Sequence, residues 1–299
     1  MKLYLKTFIA FLIPIAITVI GTIYLYHQKI NSIQLPKNID TVICGDSHIM
    51  TGINDSLISN SLNIAQHSQN YIFTYNILSN IITNNPKQIR EIIIGSSFHN
   101  FGQNWDKQLI DSETAGEIYI KYFPILNWES AYWLLKKNPV TALNTLPSIT
   151  KQLLLATVKK YNNYNQYPFI GKYEPVSESR LYDKVIHISI ERHYEKYPNQ
   201  ISGNQAEYLE KIIRLCNANS IKIVLVSTPL NYRYSNKIPK FNREYFEHTI
   251  SKIDSQEVFL DYSNLKMEDK CFQDGDHLNK YGATIFSKII DQRLKELPQ

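Results

Sequence analysis

The chain has 299 residues, 43% of them hydrophobic and 20% charged, an ordinary globular composition that allows one catalytic domain with appendages. Its net charge of +5 is modest for this length and no Lys/Arg block stands out, so nucleic-acid binding is set aside. The three cysteines, Cys44, Cys216 and Cys271, lack metal-ligand spacing, and an odd number excludes a complete disulfide framework. Cys44, ending an apolar run, reads as a small buried filler.

From Thr7 to Tyr26 no residue is charged, and a bilayer-spanning helix needs about 20 mostly apolar residues. A cleaved signal peptide has a shorter apolar core and a small-residue cleavage site. This run instead ends in Tyr24, Leu25 and Tyr26, which suit a membrane interface. A soluble core helix of this length would show a polar face. Residues 1–28 are therefore expected to form a single-pass, uncleaved transmembrane anchor. Lys2 and Lys6 precede the run while Lys29 and Lys37 follow it, which leans toward an inside amino terminus and a domain outside the cytoplasm. Residues 29–40, polar and containing Pro36, are expected as a linker, and 41–299 as the catalytic domain.

The first strand is expected at 41–44, where a β-branched run stops at Gly45, and a short second strand at 61–65. Residues 70–83 carry Ile72, Tyr75, Leu78, Ile81 and Ile82 at helical spacing, and 89–95 reads as a third strand. Strands alternating with helices argue for a parallel sheet with helices on both faces. Between about 101 and 202 the pattern becomes irregular and aromatic-rich, with one helix expected at 147–160. So long an excursion reads as an insertion that caps the active-site end of the sheet; the alternative is that its aromatics only pack a small core of their own. A helix at 205–217 follows, then the near-continuous apolar run 221–230, read as a central strand buried on both faces. A helix at 241–253, a strand at 257–261 and a last helix at 280–297 complete the pattern.

Chemistry concentrates at the two ends of this domain. Gly45-Asp46-Ser47-His48 would place a hydroxyl on the turn at the carboxyl end of the first strand, where open α/β sheets hold ligands. Serine is a poor nucleophile unless a base takes its proton, so Ser47 demands a histidine oriented by a carboxylate. Otherwise Ser47 is a helix N-cap. Asp274-Gly275-Asp276-His277 supplies the partners near the other end. Residues three apart meet across a turn while adjacent side chains diverge, so Asp274 is expected to orient His277, and Asp276 to be a turn former or a solvated charge. Asp46 is expected to bond backbone in its turn, and His48 to point away from the hydroxyl.

These blocks, with His277-Leu278-Asn279 and Gly282-Ala283, resemble the SGNH (GDSL-like) hydrolase and acyltransferase superfamily. The resemblance implies a flavodoxin-like three-layer fold and a triad of Ser47 as nucleophile, His277 as base and Asp274 as its orienting acid. In that family a glycine of a second block and an asparagine of a third complete the oxyanion hole. Here the corresponding segments read Asn63-Ile64-Ala65-Gln66-His67-Ser68 and Gly95-Ser96-Ser97-Phe98-His99-Asn100, which depart from both. The backbone N–H near Ser68, the Ser97 hydroxyl and Asn100 are the candidate replacements, and loss of one such donor costs about 100- to 1,000-fold in turnover.

Gly-Asp-Ser-His is similar to the variant in SGNH domains that accompany membrane-bound O-acyltransferases. The resemblance thus implies a serine esterase or O-acyltransferase acting on O-acyl groups, acetyl foremost, of cell-envelope glycans or polymers. A polytopic membrane-bound O-acyltransferase is the implied partner. The alternatives are a lipase or esterase that uses water as acceptor, and a non-catalytic assembly protein that keeps the fold. The motifs imply no cofactor and no metal.

Overall fold

The computed structural model describes residues 33–110, 114–158, 164–253 and 258–297, with isolated positions before residue 33. The expected anchor lies mostly outside the described residues, and among these no helix is long and apolar enough to cross a membrane.

Five parallel strands form one sheet in the order β2-β1-β3-β4-β5: β1 (Thr41–Cys44), β2 (Ser61–Asn63), β3 (Glu91–Gly95), β4 (Lys222–Ser227) and β5 (Val258–Asp261). This doubly wound order reverses direction between β1 and β3, which opens a crevice at the carboxyl ends of those strands. Alternation sorts the strand side chains into two apolar layers. Val42, Cys44, Ile92, Ile94, Ile223 and Leu225 face one core with α2 (Tyr71–Asn84), α8 (Gly203–Ala218) and α10 (Lys240–Ser251). Ile43, Ile93, Val224 and Val226 face the other, with α1 (Ser47–Gly52) and α11 (Lys280–Glu296). Both faces are covered, so the interior strands β1, β3 and β4 are near-continuous apolar runs. The run at 221–230 yields strand only over Lys222–Ser227, and this strand is interior; the middle of the sheet is β3.

Residues 33–39 do not behave as a free linker. Ile33, Leu35 and Ile39 are buried, and the Leu35 N–H donates to Asn85 Oδ1 at 2.9 Å, so the packed domain begins before Thr41.

The insertion leaves and rejoins the sheet through one neck. Gly102 and Ile201 form an antiparallel bridge, and the Ser202 N–H donates to the Phe101 carbonyl at 2.8 Å. Within it lie α3 (Asn104–Ile110), α4 (Ala115–Tyr122), α5 (Trp128–Lys137), α6 (Pro139–Val158) and α7 (Asp183–Ile190). The helix expected at 147–160 is the second half of α6. Pro139 opens that helix, where a missing N–H costs nothing, and Pro147 is carried inside it. Tyr119 and Tyr122 are fully buried, and Tyr122 stacks on Phe73 of α2 at 4.1 Å, so these aromatics join the insertion to the sheet's own core. An irregular strap then crosses the domain: the Gly171 N–H donates to the Ile64 carbonyl at 3.1 Å and the Glu174 N–H to the Met50 carbonyl at 3.0 Å.

Candidate active site

Ser47 stands where β1 runs out. Gly45 turns the chain with φ of 150°, a conformation that favours glycine, and a Cβ there would lie 3.3 Å from the Gly95 backbone. Asp46 then caps α1, its Oδ1 accepting the His48 N–H at 2.9 Å. The cap is Asp46 rather than Ser47, so the serine hydroxyl at the first turn of the helix is not spent on capping.

The loop before α11 brings the partners. Asp274 Oδ1 accepts the N–H groups of Asp276 at 3.1 Å and His277 at 2.9 Å, a turn that folds the carboxylate back onto the His277 ring. His277 Nδ1–H donates to Asp274 Oδ1 at 3.0 Å, and His277 Nε2 is hydrogen-bonded to Ser47 Oγ at 2.8 Å. Residues 230 positions apart thus meet in hydrogen-bonding range. Burial works to lower the His277 pKa, but the carboxylates of Asp276 and Asp274 outweigh it and raise it to about 9.

A cavity of about 270 Å³ opens over Ser47. Its walls come from the sheet edge (Asp46, His48, Thr51), the segment after β2 (His67, Ser68), the third block (His99), the loop before α11 (Gln273, Asp274, His277) and the insertion (Asn104, Trp105, Gln108, Arg192, His193). Ser68 lines it in the left-handed conformation, φ 57°. Neither the Ser47 nor the Ser68 N–H meets an acceptor among the described residues, so both main-chain donors remain for an oxyanion. Ser97 and Asn100 are placed elsewhere. The Ser97 N–H donates to Asn100 Oδ1 at 2.6 Å, Asn100 Nδ2 donates to Asp46 Oδ2 at 3.1 Å, and neither residue lines the cavity.

Beside the serine stands a group of imidazoles drawn from four separate segments of the chain. His99 Nε2–H donates to Asp46 Oδ2 at 2.7 Å. Its ring lies 4.2 Å from that of His48 and 4.7 Å from that of His193, and the His48 ring meets His277 edge-on at 4.6 Å. Burial, then the neighbouring His99, pushes the His48 pKa down, and the same two causes push that of His193 well down. Burial works to raise the Asp46 pKa, but His48 and His99 outweigh it and hold that carboxylate below its usual range. His48 is thus buried against the His277 imidazole, and neither of its ring nitrogens makes a hydrogen bond to Ser47.

Asp276 overturns the expectation of a solvated charge: it is fully buried, 0% exposed. Its carboxylate lies 3.3 Å from His48 Nε2, 3.6 Å from His193 Nδ1, 3.6 Å from His277 Nδ1 and 3.7 Å from the Arg192 guanidinium. Sequence spacing rightly separates it from the hydrogen bond to His277 but carries no information on the insertion that closes over it.

His48, His99 and His193 offer ring nitrogens within 4.8 Å of one another, and the ring nitrogens of His48 and His277 lie within the same distance of each other and of an Asp276 carboxylate oxygen. These are the described residues best placed for a divalent cation. The His99 and His193 rings are stacked at 17°, so their in-plane lone pairs run side by side, whereas a tetrahedral site requires lone pairs that converge; the His48 ring is tilted by 31° from His99 and by 40° from His193. A scan against protein-family models finds no match to this chain, and a search of curated proteins finds none either.

Proposed function

We propose that the chain is a serine esterase or O-acyltransferase of the SGNH type, which moves small O-acyl groups, acetyl foremost, on cell-envelope glycans or polymers. The observation that carries this reading is the continuous hydrogen-bonded line from Ser47 Oγ through His277 to Asp274, set beside a cavity at the carboxyl edge of a parallel sheet. At about 270 Å³ that cavity suits a short acyl group rather than a fatty chain. The envelope acceptor, the partner O-acyltransferase and the anchor over Thr7–Tyr26 rest on the sequence: the Gly45–His48 motif and the uncharged amino-terminal run.

In the chemical step neutral His277 takes the Ser47 proton on Nε2 as Oγ bonds to the ester carbonyl carbon. The oxyanion meets the Ser47 and Ser68 N–H groups. Collapse expels the donor alcohol, which receives the proton from His277, and leaves an acyl-serine. His277 then deprotonates the acceptor hydroxyl, or water, to release Ser47. Asp274 keeps the ring oriented through both halves.

A fluorophosphonate probe tests the chemistry and polymer mass spectrometry tests the task. The wild-type protein is expected to be labelled on Ser47, with Ser47→Ala and His277→Ala unlabelled, and cells carrying Ser47→Ala are expected to show altered acylation of an envelope polymer. A folded wild-type protein that resists the probe is a scaffold, and the reading fails.

A further inference from the structure

Asp276 is the least expected charge in the molecule. A buried carboxylate without compensation costs several kcal/mol, and neither of its oxygens has an in-line hydrogen bond among the described residues. Its compensation is a shell of cationic and cationisable groups. His277 comes from its own loop, His48 from α1, and Arg192 and His193 from the π-helical turn Glu191–Glu195 of the insertion. Beyond these, Asp46 holds His99, whose ring lies 4.2 Å from that of His48, and the Tyr234 hydroxyl meets His193 Nδ1 at 2.8 Å. The Asp276 backbone also serves the triad, since its N–H donates to the Asp274 carboxylate.

Resting on the serine-acyltransfer reading above, we propose that Asp276 is a second positioning carboxylate of this site. Asp274 fixes the direction of the His277 ring through a hydrogen bond. Asp276 holds the positive charge that the ring acquires when it takes the Ser47 proton. Arg192 and His193 clasp Asp276 from the insertion and so set how much of its charge His277 feels.

Three features support the division. Asp274 is in line with Nδ1–H at 3.0 Å, whereas Asp276 stands off at 3.6 Å, a separation that transmits charge without directing the ring. Asp276 has no exposure while Asp274 is 15% exposed at its side chain, so its field is the less screened. Burial works to raise the Asp276 pKa, but His277, His48 and His193 outweigh it and hold it well below the carboxylate range, so the charge persists at working pH. Arg192 has the opposite sign and is half exposed; it partly offsets the field of Asp276 at His277.

The signs of two substitutions then differ. An opposite charge within about 4–6 Å moves a pKa by roughly 1–3 units. Asp276→Asn is expected to move the midpoint at which the Ser47 labelling rate rises with pH downward by about 1–3 units. Arg192→Gln is expected to move it upward by a smaller amount. A merely structural role changes the plateau or the melting temperature but not the midpoint. The experiment follows fluorophosphonate labelling of the full chain from pH 5 to 10 in the wild type and both variants, with circular dichroism as the check on folding. Opposite midpoint shifts sustain the proposal. Unmoved midpoints in folded variants overturn it while leaving the serine chemistry intact, and an unlabelled wild type overturns the chemistry itself. If Asp276→Asn does not fold, exposed Arg192 still decides: an upward shift supports the clasp and no shift refutes it.

Discussion

The sheet and the inserted segment bury apolar side chains over different ranges of sequence, and they contribute differently to the site. In the sheet each strand is a short run whose alternate residues enter two cores, as Val42 and Ile43 do. Its turns end in residues whose roles are local, such as Gly45 for a positive φ and Asp46 for the cap. In the insertion the partners lie far away: Tyr122 stacks on Phe73, Ser130 Oγ bonds the Tyr208 hydroxyl at 2.8 Å, and Arg192 approaches Asp276. The sheet edge holds the atoms placed to react, and the insertion holds the environment they react in.

The largest test of that division removes the orienting acid from the sheet side. Asp274→Asn leaves every insertion contact in place, and by analogy with other Ser-His-Asp sites labelling of Ser47 is expected to fall by about 10⁴-fold with the melting temperature little changed. A loss under about tenfold would mean that the environment, chiefly Asp276, carries what is assigned here to the hydrogen bond.

The same contrast explains what could be read without coordinates. Ser47, His277 and Asp274 were legible because each sits in a short motif beside a strand or helix whose period is local, and a three-residue turn sufficed to choose Asp274 over Asp276. The strand at 41–44 and the helices at 70–83 and 205–217 followed from periodicity. Arg192 and His193 were not legible as members of the site, since nothing within several residues of them announces it, and His99 lies within the third block but its flanking residues Ser97 and Asn100 drew the assignment instead. The burial of Asp276 depends on a segment that arrives from more than 80 positions away. Ile33 and Leu35 were misassigned to a linker because two isolated apolar residues show no period. Trp105, in the aromatic-rich segment whose period gives no sign of burial, is buried, its indole N–H donating to the His99 carbonyl at 3.0 Å.

A second test uses pH, because the ionisable groups lie at the junction of the two regions. His277 has its pKa raised to about 9, so its contribution to stability is fully present below the unfolded value of about 6.5 and is lost as pH rises through 9. His48 and His193 are shifted the other way, so their contributions are present above about 6.5 and are lost as pH falls below it. Buried Asp46 and Asp276, both lowered, add to the acid-side loss below about 4. Thermal unfolding is expected to show a maximum between about pH 6.5 and 8, with an alkaline decline on the order of 3 kcal/mol. In Asp276→Asn the alkaline decline is expected to shrink and its onset to move to lower pH. A flat profile from pH 6 to 10 would show that the field of Asp276 does not reach His277.

The smallest expected effect concerns the outer face of the insertion, and it separates an acceptor surface from a self-packed cap. Trp128 is 78% exposed and Tyr132 55% exposed, and their rings lie at 6.4 Å on one turn of α5. Flat apolar faces with polar tips suit sugar rings, and substitution of a surface residue changes stability by only about 0.5 kcal/mol. Trp128→Ala is therefore expected to leave the melting temperature and probe labelling of Ser47 unchanged, and to lower acylation of the natural acceptor several-fold. Trp105→Ala is the internal control: it opens a cavity beside His99 and removes the donor to its carbonyl, so stability falls by about 3–5 kcal/mol and labelling falls with it. If Trp128→Ala instead lowers labelling and melting temperature together, its ring supports the fold and the outer face has no role in acceptor choice. If all three readouts stay at wild-type values, acceptor choice resides in the cavity walls at Asn104, Gln108 and Arg192, where the insertion meets the sheet edge.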